Sequence, residues 1–391
     1  MDASGFLLYL HAISSIMGQI TGRGVCLVRS YKTQLSANQI FWIMTTMAVG
    51  VALLLTIGQS IGIATKNAWI SVLICGLICV YGVFAASKLS ELYPNLSFVE
   101  YAQVILGKWL GRLVVLIYFV QWYSVAGVIM RELTNRMNLI MPRTPSWVII
   151  VGILAVVAYA VSQGIEVIGR CAEFIGPLII FIVILTLLLS VNNWRSDYIL
   201  PVFKDLPIVP MLKGALPPAA IIGQNVILIM LFKFTPNTQA ATKAAVAGTA
   251  IASLLVTITV VMVITTFGPF VSAKMWYPYF ELVRVISVAD FIQNVDVIFV
   301  VVWLASVFIR ISVIFFAASY GMGQLLKLKN WKHVLWVNVP IVFIIAQLPR
   351  SIMESDYFYP KYFTESFTLP FLILGIPTVL WIIGAIRVKK R

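Results

Sequence analysis

Apolar residues fall in long blocks separated by short polar connectors, with runs at 40–62, 68–87, 112–130, 147–163, 174–191, 214–233, 242–266, 297–320, 332–348 and 370–386. A helix needs about 20 apolar residues to cross roughly 30 Å of hydrocarbon. Each run therefore predicts a membrane-spanning helix, ten in all. A membrane barrel would instead show alternating segments of about ten residues, and the chain has none. The pattern predicts an all-α integral membrane protein with one transmembrane domain over 36–391.

The segment 1–35 stands apart as a leader of unassigned role. Its apolar stretch, Phe6 to Ile20, is interrupted by His11 and Gln19 and has no basic residue before it. It is too short to span and does not resemble a signal peptide. Two connectors look structured. "SFVEYAQVILGKWLGR" opens with Ser97 and Glu100 in capping-box spacing, which predicts a surface helix. "WYPYFELVRVISVADFIQN", from Trp276 to Asn294, is amphipathic and sits between spans seven and eight, as a vestibule cap or an interfacial helix.

Composition agrees with the pattern: 61% of residues are hydrophobic and 11% charged, with a mean hydropathy of +0.99. Too few polar residues remain to cover a soluble core of this size. The net charge of +14 changes the picture through its placement. With both termini inside, the larger share of the lysines and arginines falls in inner loops and in the tail "RVKKR". The charge thus reads as orientation and contact with anionic lipid, with no nucleic-acid partner. Cys26, Cys75, Cys79 and Cys171 are packing residues, and His11 and His333 are too scattered for a metal cluster. Motifs for phosphate binding, zinc hydrolysis or a serine nucleophile are absent. The sequence offers no catalytic residue, cofactor or metal, and no sign of an enzyme.

The sixth run, "GALPPAAIIGQNVILIMLF", carries Pro217, Pro218 and the triplet Gly223, Gln224, Asn225 inside a stretch long enough to enter a bilayer. It opens the second half of the chain. The first run, which opens the first half, carries Gly50 and Gly58 at interior positions with Thr45 and Thr46 just before. Interrupted helices at matching places in two halves point to an inverted-repeat transporter fold with discontinuous helices 1 and 6. Backbone groups freed at membrane depth need other partners, and the N–H groups of a half-helix suit a ligand carboxylate. A proline kink with close glycine packing is the alternative reading.

Two stretches carry a family likeness. "SANQIFWIMTTMAVGVALLLTIGQSIGIATKNAWIS" places Asn67, Ala68, Trp69, Ile70 and Ser71 where the family has Asp-Ala-Trp-Ile-Ser, and "YPYFELVRVISVADFIQNVDVIFVVVWLASVFIRIS" resembles its Tyr-Pro motif and the acidic start of its eighth span. From Ser36 to Arg391 the chain resembles the endospore germination permeases of the GerAB/GerKB type, the B subunits of spore germinant receptors, a branch of the amino acid/polyamine/organocation superfamily. The resemblance implies a LeuT-like five-plus-five fold in the spore inner membrane, beside an A subunit and a lipoprotein C subunit. It implies binding of a small germinant, often an amino acid, that triggers germination. A secondary amino acid transporter of the same superfamily is the competing function. Family members usually carry a carboxylate in the sixth span, where this chain has Gln224, which puts proton coupling through that position in doubt.

A ligand between the two interrupted helices would be met by Gly50, Val51 and Leu54 of the first span and by Ile221, Gly223 and Gln224 of the sixth. Tyr118 and Trp122, one turn apart on the third, are candidate walls or core packing. Arg310 is the basic residue deepest in any predicted span, 13 residues from Val297, or roughly 20 Å along the axis. A guanidinium at that depth needs acceptors or water. LeuT-like folds often hold sodium near this level. Arg310 is accordingly read as a sodium-site substitute that donates to carbonyls near Ala48 to Gly50, with snorkelling toward the inner interface as the alternative. The charge pattern predicts that single cysteines at Lys66, Arg143, Lys204 and Lys274 react with a membrane-impermeant thiol reagent from outside. Those at Lys88, Lys108 and Lys327 should react only from inside, and outside labelling at 88 and 108 would reverse the orientation.

Overall fold

The computed structural model describes residues 34–200, 207–285 and 296–389. The predicted leader, apart from its last two residues, Lys204, and the second half of the connector after Trp276 lie outside them. Leu35–Arg391 forms one compact unit, helical wherever regular structure occurs among the described residues. Nine helical stretches in them are long and apolar enough to cross a membrane, and a shorter apolar helix, Lys332–Gln347, stands at the ninth predicted place. The chain is a multi-pass membrane protein.

Span 1 begins at Ala37, where Ser36 and Gln39 cap each other reciprocally. It runs through Gly50 without interruption to Leu55, turns at Thr56, and continues as Ile57–Ala64. The discontinuity thus falls between the two interior glycines, Gly50 and Gly58, and nearer the second. Its cause is local: the Thr56 hydroxyl donates to its own helix at Ala52 O, 2.8 Å, a back-bond that bends helices. Span 6 is α-helical over Ile208–Ile222 and tightens to a 3₁₀ turn over Gly223–Met230. The winding changes at Gly223, after the prolines. Pro218 has no N–H to give Gly214 O, and Ser60 Oγ of span 1 donates to that carbonyl instead, 2.9 Å. The backbone group freed by proline is satisfied by the partner helix.

Spans 2 to 5 are Ala68–Glu91, Lys108–Ile140, Ser146–Gln163 and Ile165–Leu189, and span 7 is Thr238–Phe267. Span 8 is Asp296–Leu325 and span 9 is Lys332–Gln347. Span 10 starts with wide π turns from Glu354 and ends as the α-helix Ile376–Lys389. Span 3 therefore extends ten residues past its predicted end, and span 10 starts sixteen residues early.

The pairing of helices shows the repeat. Span 1 packs on span 7 as span 6 does on span 2; span 1 on span 5 as span 6 on span 10; span 3 on span 9 as span 8 on span 4. Each pair becomes the other when both members move five places along the chain. Five is odd, so the second half enters the membrane from the opposite face. This is a five-plus-five inverted repeat. The capping-box helix forms at Phe98–Leu106, with both reciprocal bonds in place, and Lys233 at the end of span 6 reaches Glu100 at 2.9 Å. Burial works against ionisation of Glu100, but hydrogen bonds from the Ser97 backbone and from Lys233 outweigh it and hold the carboxyl below its ordinary value. Between spans 7 and 8, the amphipathic connector is helical over Pro278–Val285.

Small residues let the central helices touch. Gly50 lies against Ser306 of span 8, where an added Cβ would fall on the serine side chain, and Gly248 lies against Phe41 O of span 1, 2.6 Å from where its Cβ would be. Gly50→Leu should destabilise the folded protein by about 1–3 kcal/mol or more, the cost of overpacking. Gly152→Leu, at a position with nothing within 4 Å, should leave the detergent melting temperature unchanged.

Candidate ligand cavity at the crossing of spans 1 and 6

Five spans enclose a cavity beside the tightened turn of span 6. Span 1 gives Val51 and Leu55; span 3 gives Val125, Val128, Ile129 and Glu132; span 6 gives Ile221 and Gln224; span 8 gives Arg310; span 10 gives Tyr359, Pro360 and Thr364. The free volume is about 30 Å³, the room of one or two water molecules. The cavity leaves little free space in this conformation.

Arg310 is 1% exposed. Its guanidinium donates to Met47 O of span 1 at 2.7 Å, to Ile221 O at 3.3 Å and to Gln224 Oε1 at 2.6 Å. Snorkelling to an interface is not what the side chain does. The carbonyl it meets on span 1 belongs to Met47, one residue before the predicted stretch from Ala48 to Gly50. Two neighbours add to the same stripe of span 1: Ser306 Oγ donates to Thr46 O at 2.6 Å, and Asn225 Nδ2 to Met44 O at 2.9 Å and to Thr249 Oγ1 at 3.0 Å. The 3₁₀ winding from Gly223 turns Gln224 and Asn225 to these different partners. Spans 6 and 8 thus hold one face of span 1 through side chains on backbone oxygen.

Of the residues expected around a ligand, Val51, Ile221 and Gln224 line the cavity, and Arg310, expected as a sodium-site substitute, lines it too. Gly50, Leu54, Gly223, Tyr118 and Trp122 do not. Gly50 is spent on Ser306, and Gly223 on Ile373, whose Cγ2 would lie 2.9 Å from an added Cβ. Leu54 is core. Tyr118 donates to Leu372 O of span 10 at 2.5 Å and packs edge-on to Phe98, with Trp122 beside it. Tyr118 binds span 3 to the capping-box helix and to span 10, and Trp122 packs against it on the same helix. Glu132 was not predicted, because the apolar run of span 3 stops at 130 and left it in a loop; the helix continues and carries it inside, 5% exposed. A lone acid just past an apolar run was the available signal.

One turn beyond Glu132, Arg136 pairs with Asp356 at the start of span 10, 2.9 Å, both buried. Tyr277 donates to the same carboxylate at 3.1 Å, Ser355 at 2.7 Å, and Arg136 stacks on Tyr277 and Trp303. Arg136 is therefore a second buried arginine in a span that the sequence had ended before it. Beyond this cluster a vestibule of about 810 Å³ opens at the membrane face where span 1 ends, between Gly58, Gln59, Lys213, Trp276, Tyr357 and Lys361 among others. Leu55 borders both spaces. Asp356 and Tyr277 of the cluster line the vestibule.

An inverted repeat whose first and sixth helices are interrupted, with a small cavity at their crossing, defines a permease-type membrane protein of the LeuT fold. The solved nucleobase-cation-symport-1 family transporter Mhp1, in a closed conformation with bromovinylhydantoin bound, shares the fold at a TM-score of 0.55 and 13% identity, over 91% of each chain. Residues 34–355 match the family described as "Spore germination protein", and the chain belongs to that family. Similar members include spore germination protein YndE of Bacillus subtilis, 28% identical over 80% of this chain and 85% of that one. Spore germination protein KB of the same organism is 25% identical over 92% and 97%.

Replacing Arg310 by alanine removes a charged donor from two buried carbonyls and leaves the Gln224 amide oxygen without a donor. Arg310→Ala should cost about 2–4 kcal/mol of stability in detergent unfolding. Arg310→Lys should recover part of that loss, since it keeps the charge but not the planar fork.

Proposed function

We propose that the chain is the membrane-embedded, ligand-binding subunit of a spore germinant receptor, in which a small nutrient, an amino acid in the first instance, binds in the cavity between spans 1, 3, 6, 8 and 10 and triggers germination. Membership of the spore germination protein family supports the setting. The observation that carries the site is a buried cavity in which charged and amide side chains meet the winding change of span 6. On this reading the protein lies in the spore inner membrane as the transmembrane domain 36–391, with both termini cytoplasmic and the vestibule facing outward. An A subunit and a lipoprotein C subunit are its partners.

Ligand binding then acts by shifting a conformational equilibrium: an occupied cavity cannot stay as small as the one seen here, so the ligand favours a more open packing of spans 1, 6 and 10. Arg310 serves as the fixed cation of the site. Its donors occupy backbone oxygens of spans 1 and 6, a chemistry that a bound sodium ion would otherwise answer, so binding needs no sodium. The likeness to a solved symporter favours a second reading, a secondary amino acid transporter using the same cavity.

The test fills the cavity. Spores carrying Val51→Trp should lose the nutrient response while the protein is still present in the membrane, whereas a normal dose response would refute the site. Nutrient binding should be equal in sodium and potassium, and a strict sodium requirement would refute the role of Arg310. Solute accumulation by the chain alone in liposomes would favour the transporter.

A further inference from the structure

The two charged side chains of the cavity are satisfied unequally. Arg310 has three acceptors from spans 1, 6 and 6. Glu132 lines the same space at 5% exposure, and among the described residues no hydrogen bond or ion pair reaches its carboxylate. Arg136, one turn along the same helix, is taken by Asp356. Lys361 and Lys213 border the vestibule and not the cavity. Gln224 gives one amide N–H to Ala220 O, 3.1 Å, and its oxygen accepts from Arg310.

A carboxyl buried without donors is costly to ionise, and whatever enters the cavity with donors and positive charge relieves that cost. A primary ammonium brings three N–H donors and a charge in a compact group. The wall beside Glu132 is aliphatic, from Val125, Val128, Ile129 and Val51, and leaves a short apolar substituent a dry surface. Arg310 lines the same space from span 8, where its charge favours an anionic group. We propose that Glu132 is the residue that selects the ligand, binding the ammonium of a small primary amine, with a short-chain α-amino acid as the best match because its carboxylate faces the field of Arg310. This rests on the reading of the cavity as the ligand site.

The experiment measures equilibrium binding to the purified full chain. The probes are a panel of L-amino acids, their decarboxylated amines, their deaminated acids, and potassium and ammonium chlorides. Amine-bearing members should bind, and Glu132→Gln should weaken them by about tenfold or more, as expected for a lost charged hydrogen bond. Glu132→Asp should lie between the two, and the Glu132→Gln protein should be as well folded as the parent by thermal melt. Three results overturn the proposal: no amine in the panel binds, deaminated acids bind as well as amino acids, or the inorganic cations alone compete fully. If Val51→Trp abolishes amine binding and Glu132→Gln does not, the cavity stands and the ammonium contact falls. If Val51→Trp leaves amine binding intact, the cavity reading falls and takes the proposal with it.

Discussion

The interaction on which the rest of the centre depends is the guanidinium of Arg310 buried against backbone oxygen. A charge this deep in a membrane bundle needs acceptors, and Arg310 takes one from span 1 and two from span 6 while standing on span 8, its Nε alone staying unpaired. That requirement fixes three helices relative to one another. It also explains why the sixth span changes winding where it does. The 3₁₀ turn beginning at Gly223 turns Gln224 to the arginine and Asn225 to Met44 O and Thr249.

Close packing and polar pairing are complementary here. Gly50 and Gly248 bring span 1 against spans 8 and 7, so that short side chains such as Ser306 and Thr45 reach backbone carbonyls across the gap. Pro217 and Pro218 loosen span 6 without leaving Gly214 O unpaired, because Ser60 answers it. At the end of span 6 the core is held by the Lys233–Glu100 ion pair, and at the start of span 10 by Arg136, Asp356 and Tyr277, an ion pair with a hydrogen-bonded aromatic cover.

Much of this architecture was legible in the order of the residues. Spans arise from the length of apolar runs, which the bilayer imposes on any sequence, and the Ser97 and Glu100 pair announces its helix by spacing alone. The prolines and glycines marked span 6 as interrupted, and Arg310 stood out because charge inside an apolar run has few physical excuses. The ends of spans 3 and 10 were not legible. Polar residues such as Glu132, Arg136 and Asp356 can extend a membrane helix when they face one another, and a hydropathy pattern cannot see a partner two hundred residues away.

The same limit divides the candidate site. From the sequence alone come the class of protein, the five-plus-five repeat suggested by interrupted helices at matching places, and the pairing of Val51, Ile221, Gln224 and Arg310 near the crossing. Tertiary structure decided that Gly50 and Gly223 serve helix contact and that Tyr118 and Trp122 are core. It also decided that the turn of span 1 lies at Thr56 and that a carboxylate enters the cavity from span 3. The physical reason is range. Hydropathy, caps and proline effects act within a few residues and survive in any context, whereas the use of a glycine or a lone acid is set by whichever helix the fold lays against it.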